Sequence, residues 1–209
     1  LDTDTMILHG PFLQGKLGYE ENMDVVVTPD GKTALLSATE DRFIYFVDIS
    51  NPKEPSIKGN VLMPINPSGI AISADGKHAV AFGAGQFIVV IDIETMSMVD
   101  LFDLAKMGFG FGELAPDGTV IIGSFGQQSI GVLVLSENGE LTFSGSLDLT
   151  EYALAPAGIA VAPDGITVLI SGMQDVNSAT KHPSQAPEVG DTPSYQLMVL
   201  EITSPGELE

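Results

Sequence analysis

The residues best suited to chemistry in this chain are carboxylates. Glu20, Glu21, Asp24, Glu40 and Asp41 gather near the start, with the amide of Asn22 among them. Oxygen donors of this kind could hold a hard cation such as calcium. Their spacing matches no known calcium loop, so a solvated acidic surface stands as the alternative. Glu113 is sharper, because the matching positions elsewhere in the chain are Val26, Ala71 and Ala160. A carboxylate replacing small apolar residues either faces a water-filled channel or has a raised pKa, and groups so perturbed are enriched at functional sites. A third candidate is the long irregular segment 173–194, which carries Asp175, Asn177, His182, Glu188 and Asp191. Loops of that length inside compact domains are usually functional or disordered. Catalysis by His182 would need a nucleophile or metal partner that the sequence does not offer, so partner binding is the better expectation.

Several chemistries are excluded outright. The chain has no cysteine, hence no thiolate nucleophile, thiolate metal site or disulfide. Its three histidines, His9, His78 and His182, lie in separate segments without zinc-binding spacing. The alternating glycines of residues 108–112 precede a strand pattern, not a helix whose N-terminus could cradle phosphate.

The frame that positions these groups is a repeat. Pro29-Asp30-Gly31, Ala74-Asp75-Gly76, Pro116-Asp117-Gly118 and Pro163-Asp164-Gly165 recur at steps of 45, 42 and 47 residues. A period of this size signifies stacked copies of one supersecondary unit. Each copy places an apolar run before the turn and two after it, the pattern of short strands. Inner strands are predicted at 24–28, 69–73, 112–115 and 158–162, second strands at 33–37, 78–82, 119–123 and 167–171. Third strands follow at 43–49, 87–93, 129–135 and 196–202. The second-strand runs are too apolar for a sheet with one wet face and imply packing on both. The reading is all-β: a single β-propeller domain over 1–209, built of four four-stranded blades at about 20–64, 65–107, 108–153 and 154–209.

A more polar fourth strand follows the first three copies, as at 55–61 and 140–146, whereas the fourth copy stops near residue 209. Residues 6–18 belong to no complete blade. They are expected to supply the missing outer strand, which closes an open edge. Three arrangements satisfy this: closure of four blades in one molecule, two chains forming an eight-bladed ring or exchanging end strands, or membership in a longer propeller. Exchange that does not close gives a filament.

Against 28 acids stand 8 lysines and arginines, a formal net charge of −20 that repels nucleic-acid phosphates and anionic membranes. No apolar stretch approaches the roughly 18 residues that span a bilayer, so no membrane insertion is expected. The N-terminus lacks the features of a signal peptide, and a start at Leu1 fits removal of a leader, proteolysis or a portion of a longer chain. The acidity fits either solubility or adaptation to high salt.

The residues themselves carry a resemblance. Asp48-Ile49-Ser50-Asn51-Pro52, followed by Pro55 and Gly59, resembles the prokaryotic surface-protein propeller repeat named for its Leu-Val-Ile-Val-Asp strand. Residues 88–95 are similar to the related repeat named for Tyr-Val-Thr-Asn. The resemblance spans about residues 20–203 and implies blades of four antiparallel strands in extracellular or cell-envelope proteins. Some such proteins are lactone hydrolases, some are subunits of redox enzymes and many are binding or structural modules, so fold alone does not choose. The expectation is a non-enzymatic binding or structural propeller without cofactor, whose partner is protein, above all itself. A lactonase-like hydrolase or a redox-enzyme subunit is the alternative.

Overall fold

The Asp-Gly turns organise the chain. In each the glycine takes a positive φ, 71° at Gly31, 73° at Gly76, 93° at Gly118 and 72° at Gly165, a conformation that costs a residue with a Cβ. Its N–H donates to the carbonyl three residues back, on Thr28, Ser73, Ala115 and Ala162. The aspartate then locks the turn. Asp30 accepts from Thr28 Oγ1 at 2.6 Å and the Lys32 amide at 3.0 Å, and Asp75 accepts from Ser73 Oγ at 2.7 Å and the Lys77 amide at 3.1 Å. Hydrogen bonding to the charged form, chiefly from the hydroxyls of Thr28 and Ser73, holds both carboxyls below the ordinary range.

The structure, a computed structural model, describes residues 13, 22–84, 87–104, 110–124, 127–152, 154–173 and 195–208. No α-helix occurs among them. The first unit comprises β1 (Asn22–Val27), β2 (Thr33–Ala38), β3 (Phe43–Asp48) and β4 (Ser56–Leu62). The second comprises β5 (Asn66–Ile72), β6 (His78–Ala84), β7 (Phe87–Asp92) and β8 (Ser97–Asp103), and the third β9 (Gly110–Leu114), β10 (Thr119–Ser124), β11 (Ser129–Leu135) and β12 (Leu141–Asp148). The fourth holds β13 (Ala155–Val161), β14 (Thr167–Met173), β15 (Tyr195–Ser204) and β16 (Glu207–Leu208). Every unit is an antiparallel meander in chain order, and one bridge, Gly83 opposite Gly110, joins the second and third into an eight-stranded sheet.

Two differences from the sequence reading have physical causes. β5 and β13 begin at Asn66 and Ala155, three residues before the predicted starts, because the register shifts between Pro67 and Gly69 and between Pro156 and Gly158. A bulge lets a proline sit in a strand without forfeiting a ladder hydrogen bond. The fourth outer strand does begin, as two-residue β16, after a turn in which Gly206 takes a φ of 80°. Residues 6–18, expected to complete it, lie outside the described residues.

The core is divided into three clusters, each lying between consecutive units. Leu35, Ile44 and Phe46 of the first pack on Ile70, Val89 and Ile91 of the second. Ile88 and Val90 pack on Leu114, Leu133 and Leu135, and Ile130 and Val132 on Val168, Ile170, Leu200 and Ile202. Alternation along the third strand explains the division, since successive side chains leave opposite faces. Ile44, Ile88 and Ile130 point toward the following unit, whereas Val89 and Ile91 point back. Strands with two buried faces need continuous apolar sequence, and β3, β7 and β11 have it.

Candidate functional site

Of the carboxylates singled out by type, the structure brings Asp24 and Glu113 within electrostatic reach of one another. They come from the first and third units, on inner strands β1 and β9. Asp24 is half-buried and accepts two backbone bonds, one from Val25 N at 2.8 Å and one from Ile70 N at 2.8 Å. The second crosses 46 residues and ties the inner strand of the first unit to that of the second. The Asp24 amide in turn donates to Ser37 Oγ at 3.0 Å. Asp24 is therefore committed to holding two units together.

Glu113 is half-buried opposite Ile121. Burial pushes its carboxyl above the ordinary range, a weak bond from the Leu114 amide (3.4 Å) opposes the shift, and the charge of Asp24 adds to it. That combination favours a carboxyl able to give up or hold a proton nearer neutrality.

The remaining candidates are spread out. Asn22 opens β1 opposite Ala38, and exposed Glu40 and half-buried Asp41 follow in the β2–β3 loop, at the same end of the first unit. The loop is shaped by Arg42, whose φ is 57° and whose carbonyl accepts from the Met63 amide at 2.7 Å. Glu20, Glu21, Asp175 and His182 lie outside the described residues. Among the described residues no three His, Asp or Glu side chains converge on a point that would hold a metal ion.

Sequence reasoning singled out Asn22, Glu40 and Asp41, at one end of the first unit, and missed the opposite end. There an open groove of about 840 Å³ runs between the Asp-Gly turns of the first two units and the β11–β12 turn, lined by Asp30, Lys58, Lys77, His78, Glu94 and Glu137. His78 is buried at the junction with a second, smaller groove toward the third unit. One signal pointed to it. His78 pairs with Asp92 at the register where the other units place Thr33, Thr119 and Thr167. The groove is mixed in charge: Lys77 Nζ lies 3.3 Å from Asp75, Lys58 donates to Thr33 Oγ1 at 3.3 Å, and Asp92 is occupied by the amide and hydroxyl of Thr95.

No protein-family model matches the chain, and no curated protein does. Solved structures do. A candidate 6-phosphogluconolactonase from Bacteroides fragilis superposes over 96% of this chain and 56% of its own, with a TM-score of 0.66 at 18% identity. A protein from Lactobacillus plantarum matches over the same shares with a TM-score of 0.66 at 15% identity, and a set of WD40 repeats over 75% of this chain and 46% of its own, with a TM-score of 0.60 at 16% identity. The chain thus spans about half the length of these three structures. At such identities the likeness concerns the fold alone, and the fold of this chain is all-β and propeller-like.

Proposed function

We propose that this chain is a binding or structural module of the cell envelope or exterior: four consecutive propeller blades, related to the prokaryotic surface-protein repeats, that assemble through strand complementation at their ends. The observation that carries the reading is the edge of β15. This strand has ten residues, yet its described outer partner has two, pairing only at Ile202 and Ser204. The outer strands of the other units have seven, seven and eight residues. Among the described residues the rest of that edge has no strand beside it, and such an edge invites one, because its N–H and C=O groups are already aligned. Residues 6–18 are the segment proposed to fill it, from the same chain or a second copy. Light scattering on the intact chain and on a variant lacking residues 6–18 tests this. Loss of a multi-chain particle supports exchange between copies, and a drop of several degrees in the unfolding midpoint at constant mass supports completion within one chain. Unchanged mass and midpoint refute both.

A second reading is a lactonase-like hydrolase, favoured by the raised carboxyl of Glu113. It predicts acid release from sugar lactones that Glu113→Gln abolishes. Failure of the wild-type chain to hydrolyse any of a panel removes it. Calcium at the acidic end of the first unit belongs to the same reading, and calorimetric titration with the metal ion tests it.

A further inference from the structure

The units obey one rule in the interior and break it at both ends. In β3, β7 and β11 the two positions that face the following unit are Ile44 and Phe46, Ile88 and Val90, and Ile130 and Val132, all between 0% and 4% exposed. Strand register assigns the same two positions in β15 to Leu197 and Val199. These are 65% and 58% exposed. At the other end, Ile70 and Ile72 of β5 face the preceding unit, Ile70 as a buried member of the shared core cluster and Ile72 as a partly buried residue packed against it. Their equivalents in β1 are Val25 and Val27, 60% and 51% exposed.

The chain therefore carries, at its two ends, the two halves of the interface it builds three times inside. From this geometry we infer that the Leu197–Val199 face of the fourth unit docks on the Val25–Val27 face of the first unit of a second copy. The inference rests on the assembling reading above but uses face-to-face packing in place of edge pairing. A second copy fits because the positions on each end are those that interior partners occupy, and because residues of this kind lose water to each other without placing charge against charge. The contact is heterologous, so two copies close into a ring when both contacts form at once and otherwise extend head to tail.

Two double variants test it, one with Leu197→Glu and Val199→Glu, the other with Val25→Glu and Val27→Glu. All four side chains are already exposed, so each variant keeps a cooperative unfolding transition close to the wild type. Sedimentation at high micromolar concentration is expected to show wild-type particles of two or more chains and each variant alone at the single-chain mass of 21.9 kDa. Mixed in equal amounts, the two variants retain one live face each and form a two-chain particle that grows no further. A wild-type chain that is monomeric overturns this inference and leaves strand complementation standing only in its one-chain form, which the variant lacking residues 6–18 tests separately. Wild-type and variant particles of equal, larger mass overturn face docking while leaving strand complementation standing.

Discussion

Removing the carboxylate of Asp24 should uncouple the first unit from the second. The group accepts the Ile70 amide at 2.8 Å, and Ile70 is a buried member of the cluster between those units. In Asp24→Ala that amide loses its charged acceptor where water reaches it poorly. Truncating one side of such a bond costs about 2 kcal/mol, from the lost interaction and the stranded donor together. With a urea slope of about 3 kcal/mol per M for a chain of this size, the midpoint should fall by roughly 0.7 M. Asp24→Asn keeps an acceptor oxygen and should recover half of the loss or more. Circular dichroism measures the midpoint, and hydrogen exchange at the Ile70 amide shows where the loosening falls. A midpoint unchanged in the alanine variant, with the Ile70 amide as protected as before, would refute the inter-unit tie.

Two further outcomes follow from the same contacts. Because Glu113 has its carboxyl raised in the folded chain, the native state holds its proton to higher pH than the unfolded state does, so stability falls as pH climbs from the ordinary carboxylate range through the raised value. Glu113→Gln should flatten that slope in thermal melts at a series of pH values, and an unchanged slope assigns it elsewhere. Gly83→Ala would drive a methyl into the carbonyl oxygen of Asn66 beside the bridge to Gly110, a backbone clash that should cost about 3 kcal/mol in a denaturant titration. A neutral result would mean that β5 and β6 can separate freely.

The parts of the fold that were legible in sequence are those set by short-range chemistry. An Asp-Gly pair between apolar runs announces its turn, and all four turns formed where expected. Continuous apolar second strands such as residues 119–123 announced burial on two faces. The starts of β5 and β13 were not legible, because each strand runs on through Pro67 or Pro156 only by virtue of the bulge beside it. The bond from Asp24 to the Ile70 amide was not legible, because a single sequence cannot show a partner 46 residues away. Glu113 stood out correctly as an anomaly, yet its interaction with Asp24 needed the stacking of units. His78 was passed over as a scattered histidine, since its replacement of threonine emerges only when strand registers are compared. Leu197 and Val199 lie in the apolar strand predicted at 196–202 and yet are exposed: hydropathy records what a residue prefers, not whether a neighbour is there to satisfy it.

The division of the core into clusters between adjacent units has a kinetic side. Each cluster joins segments separated by about one repeat, so the mean sequence separation of core contacts is governed by repeat length and not by chain length. Contact order of that kind lowers the entropy that must be lost before the first favourable contacts form. During synthesis, the interface between the first two units can form once the second has emerged, without waiting for the fourth. Gain or loss of one whole repeat would then leave the assembly of the others largely untouched, which makes the unit, and not the chain, the quantity on which duplication and deletion can act.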